Sequence, residues 1–165
     1  MIAPGDLVLA HGRGFVSKVI RFDETIKLKG FSNWNHAAMV VSVEGDVVWV
    51  VQAEAKGIVK TTLDKVAPGG SYIIVKPPLT SQADIDQAVE YVLSRVGEKY
   101  GVLIIVSIVF NQFTPKLIHV DFRREGTLIC SGLVARGYEH GGWNCPSDPF
   151  QISPEELGIA VGAER

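Results

Sequence analysis

HAAMVVSVEGDVVWVVQAE, residues 36–54, decides how the rest of the chain is read. Two runs rich in valine and other strand formers flank Glu44-Gly45-Asp46, the pattern of a β-hairpin. A three-residue loop over Glu44, Gly45 and Asp46 sets one register. It opposes His36 to Glu54, Ala38 to Gln52, Val40 to Val50 and Ser42 to Val48. The other face pairs Ala37 with Ala53, Met39 with Val51, Val41 with Trp49 and Val43 with Val47. That second face is wholly apolar and reads as core, while the first carries every polar side chain. A two-residue Glu44-Gly45 loop would mix polar groups into both faces. Because a one-residue slip exchanges the faces, the hydrophobic pattern selects the three-residue loop.

Working outward, DLVLA (6–10) reads as a short strand after a Pro-Gly turn, and GFVSKVIRF (14–22) as a helix with Phe15, Val19 and Phe22 on one side. FSNWN (31–35) is a polar-aromatic loop. GIVKTT (57–62) and SYIIVK (71–76) read as further strands, separated by Pro68-Gly69-Gly70 and ended by Pro77-Pro78. Ser81 with Asp84 three residues on predicts a capped helix start, followed by an apolar stripe of Ile85, Ala88, Val89, Val92 and Val96. The run around Ile104 reads as a buried helix, Cys130–Tyr138 as another, and Ser153-Pro154-Glu155-Glu156 as the start of a last one. Strands first and helices after them predict an α+β fold with a central antiparallel sheet packed against helices. No repeat or linker divides the chain, so residues 1–165 are expected to form one domain.

The hairpin register puts His36 beside Glu54, and directly opposed side chains lie about 5 Å apart. A carboxylate beside an imidazole fixes its tautomer and favours the imidazolium. A nucleophile would complete a triad. Cys130, at the predicted start of a helix in LICSGLVARGYE (128–139), is the candidate. Free N–H groups and the helix dipole favour thiolate there, and the same N–H groups can receive an oxyanion. Each residue also has a plain reading: Cys130 as core filler, His36 as a structural strand histidine, Glu54 as a solvated strand end. The pairing of two polar groups on one face favours the catalytic reading. Gln52, on that face, reads equally as a substrate contact or a solvent-facing residue. His11 in the loop HGRG, His119, and His140 at the far end of the cysteine helix compete less well for the role of base. Cys145 in a Trp-Asn-Cys-Pro turn reads as structural, and a Cys130–Cys145 disulfide is disfavoured in a chain with no export signal.

Composition excludes several classes. The 165 residues are 47% hydrophobic and 21% charged, with 16 basic and 18 acidic residues and a net charge of −2. Such a chain builds a real core and offers no basic stripe for nucleic acid. The N-terminus MIAPGDLVLA lacks the basic start of a secretory signal, and VLIIVSIVF (102–110) is far shorter than the roughly 20 residues of a spanning helix. No cysteine or histidine spacing predicts a metal site, and neither HGRG nor PGG is a phosphate loop. The expectation is a soluble protein, cytoplasmic when made, with no cofactor, no metal, no nucleic-acid partner and no transmembrane segment. Composition leaves its oligomeric state open.

The motifs together resemble the circularly permuted branch of the NlpC-like papain-fold cysteine hydrolases, the YiiX/YebB-like group. PGDLVLAHGRGFVSKVIRF resembles the opening strand and helix, WNHAAMVV the histidine strand, and VVQAEAKGIVKTTL the strand with the third polar residue. EKYG resembles the tyrosine-containing helix end, LICSGLVARGYE the cysteine helix, and ISPEEL the closing Ser-Pro helix. The resemblance implies a permuted papain-like fold in which His36 precedes Cys130. It further implies Cys130 as nucleophile, His36 as general base and Glu54 as orienting residue. The activity it implies is amide hydrolysis through an acyl-enzyme, with a bacterial cell-wall peptide as first substrate. A lipid or thioester acyl substrate, acyl transfer, and an idle binding or structural module of the same fold are the alternatives. Gly101 and Gly132 stand where the family often has acids, and Tyr100 is left out of the catalytic set. A cell-wall substrate would require delivery by lysis or by a phage.

Overall fold

The computed structural model describes residues 1–11, 34–54, 57–98, 130–150 and 152–163. Five strands, β1 (Leu7–Ala10), β2 (His36–Glu44), β3 (Val47–Glu54), β4 (Gly57–Thr62) and β5 (Tyr72–Val75), form one sheet in the order β4-β3-β2-β1-β5. Every neighbouring pair is antiparallel. Among the described residues four helices accompany it: α1 (Leu63–Val66), α2 (Gln82–Ser94), α3 (Cys130–His140) and α4 (Pro154–Ala160). This is the expected α+β architecture. The predicted helices at 14–22 and around Ile104 lie outside the described residues.

The sheet is covered on both faces. Leu7, Leu9, Ala37, Met39, Val51 and Ala53 face a core shared with α2, α3 and α4 through Val92, Leu133, Tyr138 and Leu157. The opposite face, with Val8, Ala38, Val40 and Val50, packs against Leu63, Val66 and Ala67 of the α1 region. That short helix escapes a periodicity reading because one turn has no repeat to detect. β1, paired on both sides, is buried along its whole length, as a central strand must be.

The hairpin register needs one correction. From Ala38–Gln52 to Val40–Val50 the pairs are those expected, but beyond them Ser42 faces Trp49, Val43 faces Val48 and Glu44 faces Val47. A bulge between Val40 and Ser42 absorbs one residue, so the loop is Gly45-Asp46 and not Glu44-Gly45-Asp46. Gly45 takes a φ of 61°, the left-handed conformation that a tight hairpin turn requires. The expected pairs from Ala38–Gln52 to Val40–Val50 survive because the bulge lies between them and the turn.

Capping chemistry fixes the helix starts. Ser81 accepts from the Asp84 N–H while Asp84 accepts from the Ser81 N–H, and Ser153 and Glu156 repeat the arrangement before α4. Val96 is not part of the buried stripe of α2: it lies past the helix end and is 42% exposed. α3 is anchored near its far end by Tyr138, whose hydroxyl donates to the Gly5 carbonyl at 2.8 Å. Beside that turn, buried Asp6 is paired with Lys76 at 2.8 Å. Just past α3, Gly141 passes under the first turn of α2, where a Cβ would come within 2.5 Å of the Asp84 carbonyl oxygen. Backbone cannot yield cheaply, so Gly141→Ala is expected to cost about 1–3 kcal/mol. A melting temperature lower by roughly 3–10 °C would register it, and an unchanged one would contradict this packing.

Candidate active site

Cys130 lies in α3, which is described from that residue onward, and is 1% exposed. The helix is buried along most of its length, including Cys130, Ser131, Gly132, Leu133 and Val134. It packs against β2, the strand that begins at His36. His36, half-buried, lies opposite Ala10 of β1. Cys130 and His36, far apart in sequence, are neighbours that act on each other's charge.

The other side of the imidazole is held by Gln52 of β3. His36 Nε2 and Gln52 Oε1 are 2.5 Å apart, so the amide oxygen accepts from a protonated Nε2. That fixes the tautomer and leaves Nδ1 as the nitrogen for the sulfur. Gln52 is 7% exposed, and a buried amide requires a partner. It neither faces water nor stands free to bind substrate. Glu54, at the end of the same strand, acts on His36 through its charge, and the hydrogen bond to Nε2 belongs to Gln52.

The electrostatics follow from these contacts. Burial works against a charged imidazole, but the bond and charge of Cys130, the Gln52 bond and the Glu54 charge together raise the His36 pKa above its ordinary value. Burial likewise works against a thiolate at Cys130. The His36 bond and charge, and the backbone N–H groups of Ala37 and Ser131 directed at the sulfur, more than offset it and lower the thiol pKa. Cys145 is the internal contrast. Burial pushes its thiol up against the Ser147 backbone bond, with Glu139 and Asp148 adding to the rise. Both thiols are free, so there is no Cys130–Cys145 disulfide.

Two of the competing histidines have ring partners of their own. His11 pairs with the Trp34 ring at 5.0 Å between centroids. His140 stacks on Tyr91 at 4.0 Å, at the opposite end of α3 from Cys130. His119 and Tyr100 lie outside the described residues. Gln52 is the residue that sequence reasoning underrated. Its signal was present: it sits on the His36 face two residues before Glu54, a diagonal neighbour within reach of a longer side chain.

A helix-borne thiol beside a strand-borne imidazole, with a polar side chain behind the ring, is the working arrangement of a papain-like enzyme. Residues 1–148 match the family of permuted papain-like amidases, the YaeF/YiiX, C92 family. The chain belongs to this family. Its order of elements accords with the permutation, since the histidine strand precedes the cysteine helix in sequence. As a permuted papain-like amidase, the protein is a thiol hydrolase of the amidase and peptidase type. No curated protein matches the chain. Among the described residues, no helix is long and apolar enough to cross a membrane.

Proposed function

We propose that this amidase cleaves its substrate through an acyl-enzyme on Cys130, with His36 as general base and acid. Gln52 holds Nε2, and Glu54 favours the imidazolium by its charge. The observation that carries the reading is the His36 imidazole beside Cys130, with its Nε2 occupied by Gln52. In the first half-reaction the Cys130 proton passes to Nδ1 and a bond forms from Sγ to the amide carbon. The oxyanion is received by N–H groups at the helix start. As the C–N bond breaks, Nδ1 gives its proton to the departing amine. Water then attacks the thioester, losing a proton to Nδ1, and the C–S bond breaks to release the acid and restore the thiol.

The substrate class follows from the resemblance to NlpC-like hydrolases: an amide bond in a bacterial cell-wall peptide. The test is to incubate the protein with purified cell-wall peptides, unrelated peptides and simple acyl esters, reading products and the intact mass of the protein. Release of amine from cell-wall peptides, with a transient acyl adduct on Cys130, is expected. Turnover of esters alone would move the substrate to the lipid or thioester class, and no adduct with any of them would overturn the proposal.

The pH dependence has a definite sign. The active pair is thiolate with imidazolium. Its acid limb is set by Cys130, held below the ordinary thiol range, and its alkaline limb by His36, held above the ordinary imidazole range. A profile of kcat/KM against pH is therefore expected to be bell-shaped, with an acid limb lower than an unassisted thiol gives.

A further inference from the structure

The family match ends at residue 148, yet the chain beyond it reaches back to the nucleophile. Ser131, the residue after Cys130, is wholly buried, and its hydroxyl donates to the Ile152 carbonyl at 2.5 Å. Ile152 is itself fixed. Its N–H donates to the Asp148 carbonyl at 3.0 Å, its side chain is 1% exposed, and the capping box of α4 begins at the next residue.

α4 is in turn docked on the sheet. Leu157 is fully buried, and Gly158 lies so close to β1 that a Cβ there would come within 2.6 Å of Leu9 Cδ1. Leu9 precedes Ala10, the residue paired with His36. The contacts therefore close a ring: Cys130 to Ser131, Ile152, α4, β1, His36 and back to Cys130. A ring of this kind sets the separation of nucleophile and base through both of its arms.

We infer that Ser131 is a positioning residue, and that the segment Ile152–Ala160 is a brace which holds the turn of the helix that carries Cys130 in register with the His36 strand. The inference rests on the reading of Cys130 as nucleophile and His36 as its base. Its physical basis is the small tolerance of such a pair, in which displacement of a reacting atom by about 1 Å costs on the order of a hundredfold in rate. The Ser131 backbone N–H, directed at the sulfur, moves with the same turn. His36 on β2 is the titratable group facing the sulfur, and Glu54 on β3 acts through it. Neither is altered by a change at Ser131.

The experiment is the rate of iodoacetamide labelling of Cys130 against pH, with kcat and KM, in the full chain carrying Cys145→Ala. Ser131→Ala is expected to raise the labelling midpoint by about one pH unit and to lower kcat about tenfold with KM nearly unchanged. Ser131→Thr, which keeps the hydroxyl, is expected to lie nearer the parent than the alanine variant does. A Ser131→Ala profile that superimposes on the parent, or a threonine variant as impaired as the alanine one, overturns the inference. Should Ser131→Ala fail to fold, Gly158→Ala decides. It disturbs the brace from the far side of α4, and a raised midpoint supports the inference where an unmoved one overturns it. If the parent itself titrates as an ordinary thiol, the nucleophile reading fails and the brace with it. If the parent titrates low and the variants match it, the brace alone fails.

Discussion

Cys130→Ala protein is expected to fold and to release no amine from any amide substrate. The substitution removes one buried sulfur from a helix that is otherwise held by Leu133, Val134, Tyr138 and the Ser131–Ile152 bond. A small cavity of this kind costs about 1 kcal/mol, a few degrees of melting temperature in a chain of this size. The effect on chemistry is of another order. Without Sγ no acyl-enzyme forms, and loss of a nucleophile from a cooperating set lowers kcat by roughly a millionfold in the best-measured hydrolase. Backbone donors and substrate binding leave only a small residue of rate. Turnover followed by amine release, beside a melting curve, separates the two effects. Retained turnover in a folded Cys130→Ala protein would remove Cys130 from the mechanism.

The second large effect distinguishes the two polar residues behind His36. Gln52→Ala deletes the acceptor for Nε2–H and leaves that donor buried, a loss worth about 1–3 kcal/mol. The ring also loses the bond that selects its tautomer, so the loss falls on kcat, roughly 10- to 100-fold. Glu54→Gln removes only a charge, the last in order of the effects on His36, and is expected to cost less than about fivefold. Its effect should also shrink as salt is added, because a half-exposed carboxylate is screened. Steady-state rates of both variants at two salt concentrations make the comparison. A larger loss from Glu54→Gln than from Gln52→Ala would return the orienting role to the carboxylate.

Why Glu54 stood out in the sequence and Gln52 did not is a question of geometry. Direct opposition across a hairpin is what a register predicts, and it places Glu54 against His36. Diagonal contacts depend on side-chain length and on how the strand end twists, neither of which a register contains. The bulge escaped for a related reason. Val41 and Ser42 both suit a strand, so nothing in their identities marks where a residue is inserted. Ala38, Val40 and Val50 pack against Leu63, Val66 and Ala67, a cover the sequence did not show because α1 is too short to announce itself. Features with local chemistry were legible in advance. Ser81 with Asp84 and Ser153 with Glu156 name their own helix starts. Cys130 lies in a helix, as its sequence setting implied.

The central claim is that His36 lowers the Cys130 thiol, and one measurement reads it directly. With Cys145→Ala removing the second thiol, the rate of iodoacetamide labelling is followed against pH with His36 present and with His36→Ala. The account predicts a thiolate persisting well below pH ~8.5, the value of a free thiol, when His36 is present. With the imidazole gone, burial acts with less opposition and the midpoint moves up, toward or above that value. Two superimposable curves, or an ordinary thiol in the protein with His36 intact, would contradict it.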